Sequence, residues 1–372
     1  MSVSLEILRR CADDSGLTLA GCLSVEDAQA ACRASESHLA SWQAEGFAGT
    51  IKFMQQKPEH YSEILRLLPG ALSVLCFVLP YSAGPGRAMP PGYGRVSRFA
   101  WGRDYHLVLQ ERLELFLARV REHLPGRAEP AYRVCVDAVP MFEKSIARRT
   151  GRGFIGQNSL FIWPGLGSYL FLAELIWDLR CEPQPVLNAA ACPGECANCS
   201  SCMQCCPARA LVRPYVLNAR RCIAYLTIEK RGLLNAEEQH TIGEWIFGCD
   251  RCQEVCPFNS PDGRADVCAE FSPQAGAGPW LALEDLFVLR SNAEFAARFS
   301  GTSLMRAGRE KLLRNACCVA ANSRYFPGIA HLIRIMQEDS SAVLREQAKN
   351  ALAKLRLFTD GIERLKIENA LG

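Results

Sequence analysis

The chain has 372 residues, 49% of them hydrophobic and 22% charged, with a net charge of +3. Such a composition belongs to a globular protein of roughly two or three domains with a large core, and it excludes a disordered or collagenous chain. The small net charge also excludes a globally basic nucleic-acid binder, leaving only local patches to meet phosphate.

The opening stretch MSVSLEILRRCADDSG has helical apolar spacing and acidic residues, so it reads as an amphipathic helix and not as an export signal. TLAGCLSV (18–25) and ALSVLCFVLPY (71–81) read as buried strands. The second is the longest apolar run, and Pro80 interrupts it far short of a membrane span. The expectation is a cytoplasmic monomer with no membrane partner. GPGRAMPPGYG (84–94) is a long loop that lacks a phosphate-cradling place between strand and helix. DYHLVLQERLELFLARVREHL (104–124) has helical periodicity and stops at Pro125-Gly126. AYRVCVDAV (131–139) is a strand running out at Asp137, and PMFEKSIARRTG (140–151) is a helix closed by Gly151. SLFIW and SYLFLAELIW, separated by PGLG, read as a hairpin. Residues 1–180 are therefore expected to form an α/β or α+β domain, with α+β the preferred reading.

Residues 181–275 are dense in cysteine. Ten of the nineteen cysteines, from Cys192 to Cys256, fall within 65 residues. A reducing compartment disfavours disulfides there and favours metal. Cys196-x2-Cys199-x2-Cys202-x3-Cys206-Pro207 has the ferredoxin spacing, in which the fourth cysteine serves the other cluster. Cys249-x2-Cys252-x3-Cys256-Pro257 is the second motif, and Cys222 comes from RRCIAYLTIEK. One [4Fe–4S] cluster is then expected on Cys196, Cys199, Cys202 and Cys256, and the other on Cys206, Cys222, Cys249 and Cys252. Zinc held by four thiolates is the competing reading. Cys192 and Cys205 are left over, with Cys205 at a spacer position pointing away from the first cluster. Residues 276–372 read as successive amphipathic helices, one repeat of the HEAT type or a plain bundle. From Arg306 to Lys366 they hold twelve Lys/Arg against six Asp/Glu, which is either a solvated face or a phosphate-contacting surface.

Several stretches carry a resemblance. RVSRFAWGRDYH (95–106), VCVDAVPMFEKSIARRTGRGFIGQNSLFI (134–162) and GSYLFLAEL (167–175) resemble the epoxyqueuosine reductase family. So do CANCSSCMQCCPARALVRPYVLNARRCIAYLT (196–227), IFGCDRCQEVCPFN (246–259) and LLRNACCVAA in the tail. The resemblance implies a nitroreductase-like domain holding base-off cobalamin, a ferredoxin-like module with two [4Fe–4S] clusters, and a HEAT-like tail. It implies that an external donor feeds electrons through the clusters to cobalamin, and that the epoxide of epoxyqueuosine in a tRNA anticodon loop becomes an alkene plus water. Asp137 matches the proton donor; burial at its strand end is expected to raise its pKa. A capping aspartate is the structural alternative. Lys144 falls where the family often has arginine and is expected to orient Asp137 or the substrate. Ser97, Tyr105, His106, Asn158, Ser168 and Tyr169, with Asp137, are expected around the corrin. Gln157, Ala224 and Tyr61 depart from the family's usual lysine, serine and arginine. Two other readings are a paralogous corrinoid reductase, such as a reductive dehalogenase, and an electron-transfer or corrinoid-delivery protein that has no use for Asp137. Exported dehalogenases carry a twin-arginine leader, and Arg9-Arg10 lacks the apolar segment that should follow.

Overall fold

A computed structural model of the chain describes residues 2–81, 88–124, 129–137, 139–182, 196, 198–259 and 268–372. Cys192, the Pro125-Gly126 helix stop and residues 84–87 of the glycine-rich loop lie outside the described residues.

The run SVLCFVLP forms the strand Ser73–Pro80, its β-branched and aromatic residues suiting a pleated surface covered on both sides. Thr18–Ser24 and Leu170–Trp177 flank it antiparallel, and Tyr132–Cys135 adds a fourth strand beyond Leu170–Trp177. Side chains alternate across this sheet. Leu75, Phe77 and Leu79 meet the helices Leu5–Asp14 and Tyr105–Glu122 on one face. Val74, Cys76 and Val78 meet Val25–Arg33 and Glu143–Arg149 on the other.

The hairpin expected of SLFIW and SYLFLAELIW is confined to its turn. Trp163 and Gly167 exchange backbone hydrogen bonds of 2.9 and 2.8 Å across PGLG. Phe161–Ile162, however, pairs back with Phe154–Ile155, while Leu170–Trp177 enters the large sheet. Burial decides the outcome: apart from Glu174, LFLAELIW is apolar on both faces, which suits the middle of a covered sheet and not an exposed ribbon.

A small three-stranded sheet stitches the chain together. Tyr93–Val96 lies between Trp245–Phe247, which runs parallel to it, and Trp280–Ala282, which runs antiparallel. One strand thus comes from each of the three expected segments. The core behind this sheet runs from Val96 through Phe247 to Ile367. Two buried polar residues of the helix Gly308–Asn322 key the tail to the cysteine segment. Arg314 donates to the carbonyls of Leu226, Lys230 and Gly232 at 2.6–2.8 Å, and Asn315 donates to those of Thr227 and Ile246 at 2.8 Å. Ile329–Glu338, Ala342–Arg356 and Gly361–Leu371 follow as helices with short breaks. Helix and sheet are therefore mixed, and among the described residues no helix is long and apolar enough to cross a membrane.

Candidate active site and cysteine quartets

Asp137 follows the strand Tyr132–Cys135 by two residues and has φ +50°, an unusual conformation for a side chain-bearing residue. Neighbours on both its main chain and its carboxylate hold it there. Glu143, the first residue of the next helix, accepts the Asp137 N–H at 2.7 Å. The Tyr105 hydroxyl donates to Asp137 Oδ2 at 2.5 Å, Arg306 Nη1 donates to the same oxygen at 3.2 Å, and His106 Nε2 lies 3.7 Å from it. Tyr105 and His106 occupy the first turn of the helix Tyr105–Glu122. Its N-cap, Asp104, accepts the His106 backbone N–H at 3.0 Å through Oδ1, the same oxygen that meets His106 Nδ1 at 2.7 Å. Tyr105 stacks on Phe171, with ring centres 4.3 Å apart.

These contacts overturn the expected acidity of Asp137. Burial does oppose its ionisation, but His106, Tyr105 and Arg306 win and hold the carboxyl down at about 2. Burial likewise opposes the charge on His106, yet Asp104 and Asp137 raise it to about 9. At neutral pH the site is therefore a carboxylate clamped by an imidazolium and a guanidinium. Arg306 went unnoticed in the sequence, where it is merely the first cation of a basic tail. Its Nε also donates to Glu229 at 2.9 Å, and its guanidinium stands over Phe53.

Lys144 does not reach Asp137 by a hydrogen bond. Its Nζ donates to the Ser159 carbonyl at 2.9 Å, and the side chain is exposed. The other expected corrin contacts are dispersed. Ser97 is buried, and its hydroxyl donates to Asp250 Oδ1 at 2.5 Å. The Ser168 hydroxyl donates to Gln253 Oε1 and accepts from Asn259 Nδ2, both at 2.9 Å. Both hydroxyls are thus used up in joining the N-terminal segment to the second cysteine motif. Tyr169 is buried, and its hydroxyl has no partner among the described residues. Asn158 lies beside the first cysteine quartet.

Cys196, Cys199, Cys202 and Cys256 line one cavity of about 140 Å³ together with Gln157 and Asn158. Burial and then the charges of the other three thiols raise Cys202 to about 11. The second quartet is likewise gathered, and all eight cysteines are partly buried. Burial first, then Cys206 acting on Cys222, and Cys222 acting on Cys249 and Cys252, push those thiols up. Repulsion among converging thiolates is what a bound cationic centre relieves, and four thiols per site fit a cubane. Cys252 also feels Cys202, so the quartets adjoin. Backbone N–H groups point at the sulfurs: Gln157 at Cys196 (3.4 Å), Ala210 at Cys206 (3.3 Å), and Ala224 and Tyr225 at Cys222. Gln157 and Ala224 serve these sulfurs through their main chains, so neither departure costs the contact. The third departure, Tyr61, is buried with its hydroxyl on the Phe53 carbonyl. Cys205 turns away as expected, its thiol donating to the carbonyls of Cys202 (3.4 Å) and Arg251 (3.2 Å).

Comparison with known proteins agrees with this arrangement. Residues 195–259 match the family model described as a 4Fe-4S double cluster binding domain, and residues 62–138 that described as epoxyqueuosine reductase QueG, DUF1730. An epoxyqueuosine reductase of Pseudomonas aeruginosa is 36% identical over 327 residues, covering 86% of this chain and 87% of the relative. One from Xanthomonas campestris is 34% identical over 362 residues, covering 93% and 95%. The solved epoxyqueuosine reductase from Streptococcus thermophilus is similar at TM-score 0.83 and 27% identity, over 99% of this chain and 94% of that one. A second solved structure, with an epoxyqueuosine-modified tRNA-Tyr stem loop, gives TM-score 0.77 at 27% identity over 98% and 97%. The cysteine-dense segment is accordingly a double 4Fe–4S domain, and the zinc reading falls. The chain is an oxidoreductase and belongs to the epoxyqueuosine reductase family.

Proposed function

We propose that this chain reduces epoxyqueuosine to queuosine in tRNA. Two electrons and two protons remove the epoxide oxygen as water and leave an alkene. The observation that carries the reading is the cluster of Asp137, Tyr105, His106 and Arg306, joined by packing to the cysteine motifs. The Phe99 ring lies 6.3 Å from Tyr105 and 5.7 Å from Phe247, two residues before Cys249. A site made for proton handling thus stands next to one made for electrons. In this reading Cys196, Cys199, Cys202 and Cys256 hold one cluster, and Cys206, Cys222, Cys249 and Cys252 hold the other. An external one-electron donor in the cytoplasm supplies them, and the working unit is a monomer.

The reading includes base-off cobalamin. The accessible Asp137 carboxylate, the exposed Lys144 ammonium and the Tyr169 hydroxyl, which has no partner among the described residues, fit a large polar-edged group. Tyr105, His106 and Asp137 would border it, whereas Ser97 and Ser168 would offer only their backbones. Cobalamin, when bound, supplies the reducing centre that takes up electrons and engages the epoxide-bearing ring. The chain's residues orient the substrate oxygen toward Asp137 and keep a proton within reach. The same reading assigns residues 1–180 to a nitroreductase-like domain, 181–275 to a ferredoxin-like one and 276–372 to a HEAT-like tail with a basic, tRNA-facing surface.

The test is Asp137→Ala in anaerobically reconstituted protein. It should keep about eight irons and one cobalamin yet lose turnover. Full turnover in that variant would refute the proton-donor role.

A further inference from the structure

Phe53 lies on the short helix Lys52–Gln55 and is 40% exposed. A lone exposed ring needs no explanation in itself. Around this one, however, the main chain is braced by side chains from several elements. The buried Tyr61 donates its hydroxyl to the Phe53 carbonyl, and Gln43 Nε2 donates to the carbonyls of Met54 and Gln56, both at 2.8 Å. Gln55 Nε2 ties back to the Gly49 carbonyl at 2.9 Å. The Thr50 N–H donates to the Tyr225 hydroxyl and the Ala219 N–H to the Phe47 carbonyl, each at 3.1 Å, which fastens the loop on both sides of Cys222. These bonds fix where the Phe53 ring stands without using the ring, the usual way a rigid scaffold presents a binding residue from a loop.

Arg306 joins that ring to the active site. The guanidinium that donates to Asp137 Oδ2 at 3.2 Å also lies over Phe53, 5.7 Å from the ring centre, while its Nε donates to Glu229 at 2.9 Å. Glu229 closes the helical turn Tyr225–Glu229, whose Tyr225 braces the loop. Ring, guanidinium and carboxylate therefore form one row. An unstacked base of a single-stranded loop is held in proteins on just such aromatic faces and guanidinium planes. The epoxide is borne by a substituent of a nucleobase, so an epoxide oxygen at Asp137 leaves the flat base a short way off. Tyr105, the other ring at Asp137, already stacks on Phe171 and His106. Phe53 is the exposed ring joined to Asp137 through a single side chain.

We propose that Phe53 is the stacking platform for the nucleobase of the modified nucleotide, with Arg306 bordering it. The inference rests on the reading above that the chain acts on epoxyqueuosine in tRNA, and it adds the residue that receives the base. A stack made equally before and during the reaction tightens substrate binding without speeding the chemistry, so its loss falls on KM and not on kcat.

The test compares wild type, Phe53→Leu, Phe53→Trp and Asp137→Ala at equal iron and cobalamin content on an epoxyqueuosine stem loop. Leucine keeps apolar bulk at this exposed position and removes the aromatic face. Phe53→Leu should raise Kd and KM by about 5- to 150-fold with kcat within about twofold, and Phe53→Trp should restore both constants. Kd is read without reductant, from the anisotropy of a labelled stem loop, so it does not depend on turnover. The tryptophan of Phe53→Trp should be quenched by the stem loop beyond the change seen in wild type, which has six tryptophans of its own. A wild-type Kd in Phe53→Leu, a Kd weakened equally in Phe53→Trp, or an unquenched tryptophan would overturn the proposal. So would a loss confined to kcat, which would mean that the ring acts only through Arg306. With Asp137→Ala inactive, any of these results strikes the platform alone and leaves the reductase reading standing. Wild type that binds the stem loop but returns the epoxide unchanged refutes the reductase reading, and the platform with it.

Discussion

Arg306→Met tests whether the tail takes part in the chemistry or merely packs behind it. The substitution keeps an apolar stem and removes three contacts. The Asp137 pair is 3.2 Å long with side chains 38% and 41% exposed, so solvent screens it and it is worth about 0.2–1 kcal/mol. The Glu229 pair, 2.9 Å long, is of the same order, about 0.2–1 kcal/mol. The guanidinium over Phe53, 5.7 Å from the ring centre, adds about 0.5 kcal/mol. Together they hold Arg306, and through it Asp137, by about 1–2.5 kcal/mol, so a restraint fully realised in the transition state predicts a kcat loss of roughly 5- to 70-fold. The Asp137 carboxyl should rise from about 2 but stay ionised at neutral pH, since Tyr105 and His106 remain. The assay is single turnover of an epoxyqueuosine stem loop at equal iron and cobalamin content. Arg324→Met is the control, because that guanidinium lies over Phe358, 4.1 Å from the ring centre, and touches no part of the site. Wild-type kcat in Arg306→Met, or an equal loss in the control, would refute the reasoning.

Cys205→Ser should retain about eight irons per chain, whereas Cys206→Ser should fall to about four; iron analysis after reconstitution decides, and equal losses would contradict the assigned quartets. Arg314→Met leaves one buried and two partly buried carbonyls without this donor and should cost on the order of 3 kcal/mol, read as a lowered denaturation midpoint and poorer loading of the second cluster. The His106 pair gives a pH test whose sign is fixed. Its folded pKa of about 9 lies above the ordinary value, so its stabilisation is complete below about pH 6.5 and disappears as pH rises through about 9. The difference in melting temperature between wild type and His106→Gln should therefore shrink from neutral to alkaline pH, and a gap that widens would contradict the clamp.

Local pattern made the sheet and the cysteines legible. SVLCFVLP could not be covered on both faces except as a central strand, and the C-x2-C-x2-C-x3-C-P spacing carries its own ligand geometry. Even Cys205 was readable, since a spacer position on a short turn faces away from the metal. Contacts between distant segments were not legible. Arg306 reaches Asp137 across 169 residues, and no periodicity marks it among twelve tail cations. The strand-end position of Asp137 was legible, and burial with it, but the clamp of Tyr105, His106 and Arg306 that holds its carboxyl down was not. The partners of Ser97 and Ser168 were hidden for a similar reason. Their hydroxyls turn to Asp250, Gln253 and Asn259, partners more than 80 residues away.

The most direct test is chemical. Protein reconstituted anaerobically with iron, sulfide and cobalamin, then given a reductant and tRNA bearing epoxyqueuosine, should yield queuosine and consume two electrons per alkene formed. Protein that holds about eight irons and one cobalamin but returns the epoxide unchanged would contradict the account.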